Sequence, residues 1–93
     1  MKASSSDMAT RLEDIPNVGP AIAKDLRDLG VQTPAQLKEE DGLTLYLKLN
    51  EITGIRHDPC VADIFIAAID FMNGGEIKPW WSYTAQRKLD LRE

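Results

Sequence analysis

The chain has 93 residues, 43% of them hydrophobic, and a net charge of −4. This length predicts one domain with a modest core, and the hydrophobic fraction excludes a wholly disordered chain. The single cysteine excludes an intrachain disulfide. Because no signal peptide, lipidation signal or transmembrane span is apparent either, the sequence predicts a cytoplasmic protein with no membrane partner. An acidic chain repels nucleic acid overall, so binding to it would need a local basic or amide-rich face.

The spacing of apolar residues predicts an all-α fold of about five short helices, near residues 7–14, 20–29, 34–40, 42–53 and 59–72. Three of these helices have proline in the first turn, where the missing N–H has no helical partner. Gly30 is placed to end the second helix. The last helix has the clearest apolar face, formed by Val61, Ile64, Phe65, Ala68, Ile69 and Met72.

The fourth predicted helix also carries a strand pattern, because Leu43, Leu45, Leu47 and Leu49 alternate with polar residues and tyrosine. Leucine, lysine and glutamate favour helix, β-branched residues are few, and no partner strand is apparent. We therefore predict a helix, with Leu45, Leu49 and Ile52 on one face.

Outside the helices the sequence predicts a disordered tail over residues 1–6, a domain over 7–75, an aromatic segment over 76–86 and a mobile tail over 87–93. The aromatic segment contains Trp80, Trp81 and Tyr83. Two adjacent tryptophans in water would expose a large apolar surface, which is unfavourable. At least one of them is therefore expected to dock on the helices. The alternatives are stacking on nucleic-acid bases and contact with a protein partner.

Two segments between predicted helices share a pattern, with apolar residues at the first and fourth positions and one glycine each. They are Ile15-Pro16-Asn17-Val18-Gly19 and Ile52-Thr53-Gly54-Ile55-Arg56. We call residues 15–19 hairpin 1 and residues 52–57 hairpin 2. The repetition predicts two helix-hairpin-helix units about a pseudo-two-fold axis, joined by the short helix over 34–40.

Residues 15–26 resemble the helix-hairpin-helix motif, whose usual form is apolar-Pro-Gly-apolar-Gly followed by x-x-x-Ala-x-x-Leu. The matching residues are Ile15, Pro16, Val18, Gly19, Ala23 and Leu26. Asn17 replaces the first glycine, and asparagine tolerates positive φ better than most residues.

A broader resemblance covers residues 12–83. Thr53-Gly54-Ile55-Arg56-His57-Asp58-Pro59-Cys60-Val61 and Trp80-Trp81 look like signatures of a small bacterial family labelled pathogenicity-locus or mitomycin-resistance protein. That family is similar to the helix-hairpin-helix domain at the C-terminus of competence-regulator proteins. The resemblance implies a helix-hairpin-helix fold.

The motif implies that hairpin 1 turns backbone N–H groups toward a DNA phosphate. Carried over, the candidate groups are the backbones of Asn17, Val18 and Gly19, with Lys24 as a supporting cation. The alternative is that Gly19 only permits a tight turn that packs two helices. Gly19 is expected at positive φ or in close backbone contact, so that Gly19→Val would cost about 1–3 kcal/mol. The acidic residues Asp14, Asp25 and Asp28 flank the site and weaken its electrostatics.

Hairpin 2 offers Gly54, Ile55, Arg56 and His57 as further contacts. The forked guanidinium of Arg56 would reach a phosphate. In the alternative, Arg56 pairs with Asp58 or with Asp63 and holds the loop shut.

His57, Asp58 and Cys60 lie close together, which raises a metal or nucleophile hypothesis. Zinc normally needs four ligands, and no second Cys/His cluster exists. We favour the alternative that Asp58 caps the next helix and Cys60 packs as a small apolar residue. The sequence therefore predicts no catalytic residue, metal, cofactor or small-molecule substrate.

Two functional hypotheses remain. The first is a non-enzymatic, sequence-independent DNA-binding module that contacts backbone phosphates through hairpin amides. The second is a protein-interaction adaptor that presents the helices or the Trp80-Trp81 tail to a partner. Net charge favours the adaptor, and the glycine hairpins with Lys24 and Arg56 favour DNA.

Overall fold

The computed structural model describes residues 2–92, and this part of the chain is all-α. Its α-helices are α1 (Pro20–Asp28), α2 (Gly42–Thr53), α3 (Cys60–Met72) and α4 (Thr84–Leu91). Short 3-10 helices cover Ser6–Met8, Leu12–Asp14, Pro34–Glu39 and Trp80–Tyr83. No strand occurs among the described residues, which confirms the all-α prediction and the choice of helix for the alternating leucines. Met1 and Glu93, the ends of the two predicted tails, lie outside the described residues.

The central element is α3, which contacts α2, α4 and the 3-10 helices Pro34–Glu39 and Trp80–Tyr83. Phe65 is fully buried at its middle. The helices α2 and α3 approach closely at Gly42, where a Cβ would stand 2.5 Å from Ile66 Cγ1 and 2.9 Å from its backbone nitrogen. The core is completed by side chains from every part of the domain, including Leu12, Ile15, Val18, Leu26, Leu37, Tyr46 and Leu49.

The prediction that Leu45, Leu49 and Ile52 form the buried face of α2 is wrong for one of the three residues. Leu45 and Leu49 are buried as expected, but Ile52 is 50% exposed. Tyr46 is buried in its place, because its hydroxyl finds a backbone acceptor in the following loop.

The single helix predicted over residues 7–14 is absent, and two 3-10 turns replace it. The reason is the carboxylate of Asp14, which accepts the backbone N–H groups of Thr10 and Arg11 at 3.1 and 3.0 Å. A side chain that binds nearby amides competes with the helical ladder. Met8 consequently points outward and is 59% exposed. The connector predicted as a helix over 34–40 is likewise a 3-10 helix, Pro34–Glu39.

The N-terminal segment makes more contacts than a disordered tail would. Ala3 is buried, and its backbone N–H donates to Asp14 O at 2.7 Å. The Lys2 ammonium donates to backbone carbonyls of hairpin 1 and the turn before it. Lys2 and Ala3 are therefore in contact with the domain, where the sequence predicted a disordered tail.

The C-terminal segment also departs from the expectation, since residues predicted to be mobile belong to α4. Arg87 is buried and its Nε lies 2.8 Å from Asp63 Oδ1 on α3. Thr84 Oγ1 donates to the other oxygen of the same carboxylate at 2.7 Å. This ion pair fixes α4 against α3.

None of the helices in residues 2–92 is long and apolar enough to cross a membrane.

Candidate nucleic-acid interface

Hairpin 1 is a tight hydrogen-bonded turn. The Val18 N–H donates to Ile15 O at 3.1 Å, and Asn17, the third residue of the turn, has φ 72°. Proline at the second position and a left-handed third residue are the pattern of a type II turn. Asn17 thus takes the conformation for which the motif uses glycine. Ile15 and Val18 are fully buried and anchor the turn in the core.

Gly19 does not play the predicted role. Its backbone is extended, with φ −93° and ψ −177°, and a Cβ would meet nothing within 4 Å. The expectation of positive φ or close backbone contact is therefore wrong. Gly19 is the N-cap of α1, a position where an extended backbone is normal.

The first turn of α1 leaves its backbone amides uncapped. Pro20 has no N–H, and the N–H groups of Gly19, Ala21 and Ile22 donate to no acceptor in residues 2–92. No side chain caps the helix, and its first turn contains no acidic residue. Free amides at the positive end of a helix dipole form an anion-binding site.

Lys2 brings a positive charge to hairpin 1. Its ammonium donates to Glu13 O at 2.8 Å, to Ile15 O at 3.0 Å and to Val18 O. These bonds use the three donors of the ammonium group. The sequence prediction missed Lys2, because a lysine within a serine-rich terminus carries no local signal.

The other cations near hairpin 1 are paired with carboxylates. Lys24 Nζ lies 2.8 Å from Asp28 Oδ2, a hydrogen bond that raises the pKa of the lysine. Arg27 binds both carboxylate oxygens of Glu13 at 2.7 and 2.9 Å and lowers the pKa of that carboxyl to about 2. Lys24 is exposed and one turn into α1, as the motif requires, but Asp28 offsets part of its charge.

Asn17 also links hairpin 1 to the aromatic segment. Its side-chain amide donates to Lys78 O at 2.8 Å, across 61 positions of sequence. Because the side-chain amide of Asn17 is bonded within the protein, only the backbone of this residue is a candidate for contact with a phosphate.

Hairpin 2 is held shut by side chains of α2. Gly54 ends the helix in the left-handed conformation, at φ 73°. The His57 N–H donates to Asn50 Oδ1 at 2.8 Å, and the Tyr46 hydroxyl donates to His57 O at 2.5 Å. Thr53 Oγ1 lies 2.9 Å from His57 Nε2. Tyr46 and Asn50 were not recognised from sequence, since neither stands in the motif.

The amides that begin α3 are occupied, in contrast to those of α1. Asp58 Oδ1 accepts the Cys60 N–H at 2.9 Å, and this bond lowers the pKa of Asp58. The same carboxylate raises the pKa of the Cys60 thiol, with burial as a second cause. A thiol held protonated is a poor nucleophile. Among residues 2–92 no group of three His, Cys, Asp or Glu side chains is placed to hold a metal ion.

The carboxylate of Asp63, one of the partners considered for Arg56, is taken by Arg87 and Thr84. Ile55 and Arg56 lie on the surface, Ile55 with 61% exposure. The structure brings the predicted residues together within each hairpin. The two hairpins are bonded to different segments, because hairpin 1 is linked to the aromatic segment and hairpin 2 to the end of α2.

The aromatic segment forms a 3-10 helix against α3. Trp80 is half-buried, whereas Trp81 is 62% exposed and meets Trp80 edge-on with ring centroids 5.5 Å apart. The Tyr83 hydroxyl donates to Asp70 Oδ2 at 2.5 Å. Burial and this hydrogen bond raise the pKa of Tyr83 to about 12.

Comparison with known proteins gives one family and one curated relative. The model of the family Cdd1, described as "Pathogenicity locus", matches residues 5–89. The mitomycin resistance protein McrB of Streptomyces lavendulae is 36% identical over 85 residues, which cover 91% of this chain and 80% of the relative. No solved structure shows significant similarity to the chain.

Proposed function

This chain belongs to the pathogenicity-locus family, and we propose that it is a cytoplasmic, non-enzymatic module that binds DNA without reading its sequence. The proposed contact is the start of α1, where the amides of Gly19, Ala21 and Ile22 take one backbone phosphate. The observation that carries the proposal is that these three amides have no acceptor among residues 2–92. The helix-hairpin-helix resemblance of residues 15–26 implies a phosphate contact at the backbones of Asn17, Val18 and Gly19. Gly19 is common to both sets, whereas the Val18 N–H already donates to Ile15 O.

The charges around hairpin 1 support a phosphate contact of modest strength. Lys2 adds a fixed positive charge on the hairpin carbonyls, and Lys24 stands one turn into α1. Contacts of this kind position a protein on the duplex but carry no sequence information. Because the chain is acidic, the dissociation constant is expected at the weak end of the non-specific range, about 10⁻⁴ M at physiological salt.

Hairpin 2 has a secondary place in the proposal. Asp58 already occupies the first amide of α3, so that helix start offers less to an anion than α1 does. Gly54, Ile55, Arg56 and His57 remain proposed as peripheral contacts on the backbone.

The proposal is tested by placing a carboxylate on the free amides. Gly19→Asp suits the N-cap position, has space for its side chain and is expected to leave thermal unfolding unchanged or slightly higher. It would occupy the amides and repel phosphate, so affinity for a short duplex at low salt is expected to fall at least about tenfold. Fluorescence anisotropy of labelled duplex measures this.

Two control variants separate the site from net charge. Gly19→Asn has the same shape without the charge, and Ala85→Glu adds the same charge on the exposed side of α4. Affinity is expected to fall most for Asp, less for Asn and least for the α4 variant. Equal affinity in the wild type and Gly19→Asp would contradict the proposed contact.

The exposed indole of Trp81 favours a second function, a protein-interaction adaptor. A large aromatic side chain that is 62% exposed beside a half-buried one is a common anchor at interfaces. A photo-cross-linking amino acid at position 81 is expected to form adducts with protein in cells, more than the same group at the exposed position 89. Adducts with DNA alone, or none, would contradict the adaptor.

A further inference from the structure

A groove of about 320 Å³ lies between the start of α2, the second half of α3 and α4. Its floor is apolar and consists of the half-buried side chains of Leu43, Ile66 and Ile69. The close approach of α2 to α3 at Gly42 shapes its base, since a Cβ there would collide with Ile66. We call this feature the acidic groove, for the residues around its floor.

Four carboxylates line the acidic groove: Glu40, Asp41, Asp70 and Asp90. None of the described lining residues is a lysine or an arginine. Asp41 accepts the Thr44 N–H at 2.9 Å, and Asp90 accepts a hydrogen bond from Gln86 at 2.9 Å. These partners are neutral. The Lys78 ammonium lies 5.8 Å from the centroid of the lining residue Tyr83, so it offsets only part of the negative charge of four carboxylates.

Among the described residues, none of these four carboxylates is in an ion pair, whereas four carboxylates elsewhere are, in the pairs Asp14–Arg11, Asp28–Lys24, Glu13–Arg27 and Asp63–Arg87. Four like charges around an apolar floor repel one another and destabilise the isolated protein. A cationic partner would remove that cost.

Asp70 is fixed in place within the groove. Its carboxylate accepts the Tyr83 hydroxyl at 2.5 Å, and the neighbouring backbone approaches so closely that a Cβ at Gly75 would lie 2.6 Å from the carboxyl group. A carboxylate held in one orientation loses little entropy when it binds a cation.

We propose that the acidic groove docks a short basic segment of a partner protein. An apolar side chain of the segment lies on the floor, and a lysine or arginine three or four positions away lies between the carboxylates. A helix that enters a groove presents its apolar and basic residues at this spacing. The charge complementarity and the apolar floor together define this occupant.

This inference goes beyond the proposed DNA contact and uses a different part of the molecule. The groove lies at the start of α2 and the end of α3, whereas hairpin 2 lies at their other ends. The length of α2, 12 residues, separates the two by about 18 Å. Duplex DNA, a polyanion, is not a ligand for the groove.

The test selects short peptides from a random phage-displayed library against the full chain. The matched variant is Asp70→Asn with Asp90→Asn, in which the new amide oxygen at position 70 keeps an acceptor for Tyr83. The control is Glu51→Gln with Glu76→Gln, the same charge change on exposed positions outside the groove lining. Peptides with lysine or arginine beside apolar residues are expected, and they should bind the groove variant about five- to tenfold more weakly than the control.

Thermal unfolding shows that any loss of binding is not a loss of fold. The groove variant is expected to unfold at the same temperature as the wild type or higher, because like-charge repulsion is reduced. Its affinity for duplex DNA is expected to be unchanged or slightly increased, which separates this inference from the DNA proposal. No peptide enrichment, or equal affinity of the selected peptides for groove and control variants, would overturn the inference.

Discussion

Gly19 stands at the start of α1 with an extended backbone and open space around its α-carbon. A side chain at this position therefore meets no steric obstacle, and the following proline itself favours an extended residue before it. We predict that Gly19→Ser leaves the free energy of unfolding unchanged or slightly higher, because serine is a good N-cap and an extended backbone does not strain it. Urea unfolding measures this, and a loss of about 1–3 kcal/mol would restore the strained-glycine interpretation.

Asn17 is the residue whose backbone conformation matters in hairpin 1. Its φ of 72° is unfavourable for most side chains, and its amide also binds Lys78 O. Asn17→Gly is expected to keep the turn and lose only the link to the aromatic segment. Asn17→Val is expected to destabilise by about 1–3 kcal/mol, since a β-branched residue is strained at positive φ. Equal stability of the two variants in urea would contradict this.

Glu13 gives hairpin 1 a defined pH dependence. The Arg27 hydrogen bonds lower the pKa of this carboxyl from 4.5 to about 2 in the folded protein. The stabilisation is therefore complete above the unfolded value of about 4.5 and is lost as pH falls toward 2. Glu13→Gln is expected to be less stable than wild type at neutral pH, and the difference should shrink by about pH 3. A difference independent of pH would contradict the charged hydrogen bond.

At the scale of elements, α2 and α3 were predictable because local signals agree with the packing. Asp41 caps α2, Asp58 accepts the first amide of α3, and α3 has an apolar face of regular period. The prediction of a helix over 7–14 was wrong because the apolar spacing does not show that the Asp14 carboxylate binds the backbone amides of Thr10 and Arg11. These bonds compete with those of a helix.

The helix α4 was missed for a non-local reason. Its sequence contains few apolar residues, and its attachment depends on Arg87 and Thr84 meeting Asp63, more than twenty positions away. No window of sequence around α4 contains this partner. Likewise Lys2 and Asn17 act through contacts with segments far along the chain.

The Asp63–Arg87 pair is expected to hold α4 on α3. Both side chains are buried, so Arg87→Met leaves an uncompensated carboxylate and should cost about 3–5 kcal/mol. The double variant Asp63→Leu, Arg87→Met removes both charges and should recover most of that loss. Chemical denaturation of the single and double variants measures the difference. Equal destabilisation by both would show that the ion pair is not the main attachment.

For the whole molecule, the structure separates two surfaces of opposite character. Uncapped amides and Lys2 lie at hairpin 1, the proposed anion site, and four carboxylates line the acidic groove, the proposed site for a basic segment. A net charge of −4 is therefore no argument against local phosphate binding. A module with both surfaces would bring a basic partner segment to DNA.

The family and the all-α class were predictable from sequence, whereas the helix start that has free amides was not. The motif residues of hairpin 1 lie in one turn, yet their sequence does not reveal that the first amides of α1 are free while Asp58 accepts the first amide of α3. Gly19 has no side chain to accept an amide of α1, whereas the Asp58 carboxylate accepts the first amide of α3. Hairpin 1 is therefore the one that precedes free amides.

The central claim is the phosphate contact at the start of α1, and an NMR titration of the isotope-labelled chain with a short DNA duplex at low salt tests it most directly. We predict that the largest amide shifts occur at Gly19, Ala21 and Ile22, with smaller changes at residues 54–57 and none in the acidic groove. The shifts should disappear as salt is raised, because phosphate contacts release counterions. Shifts that are absent, or that fall away from hairpin 1 at low salt, would contradict the account.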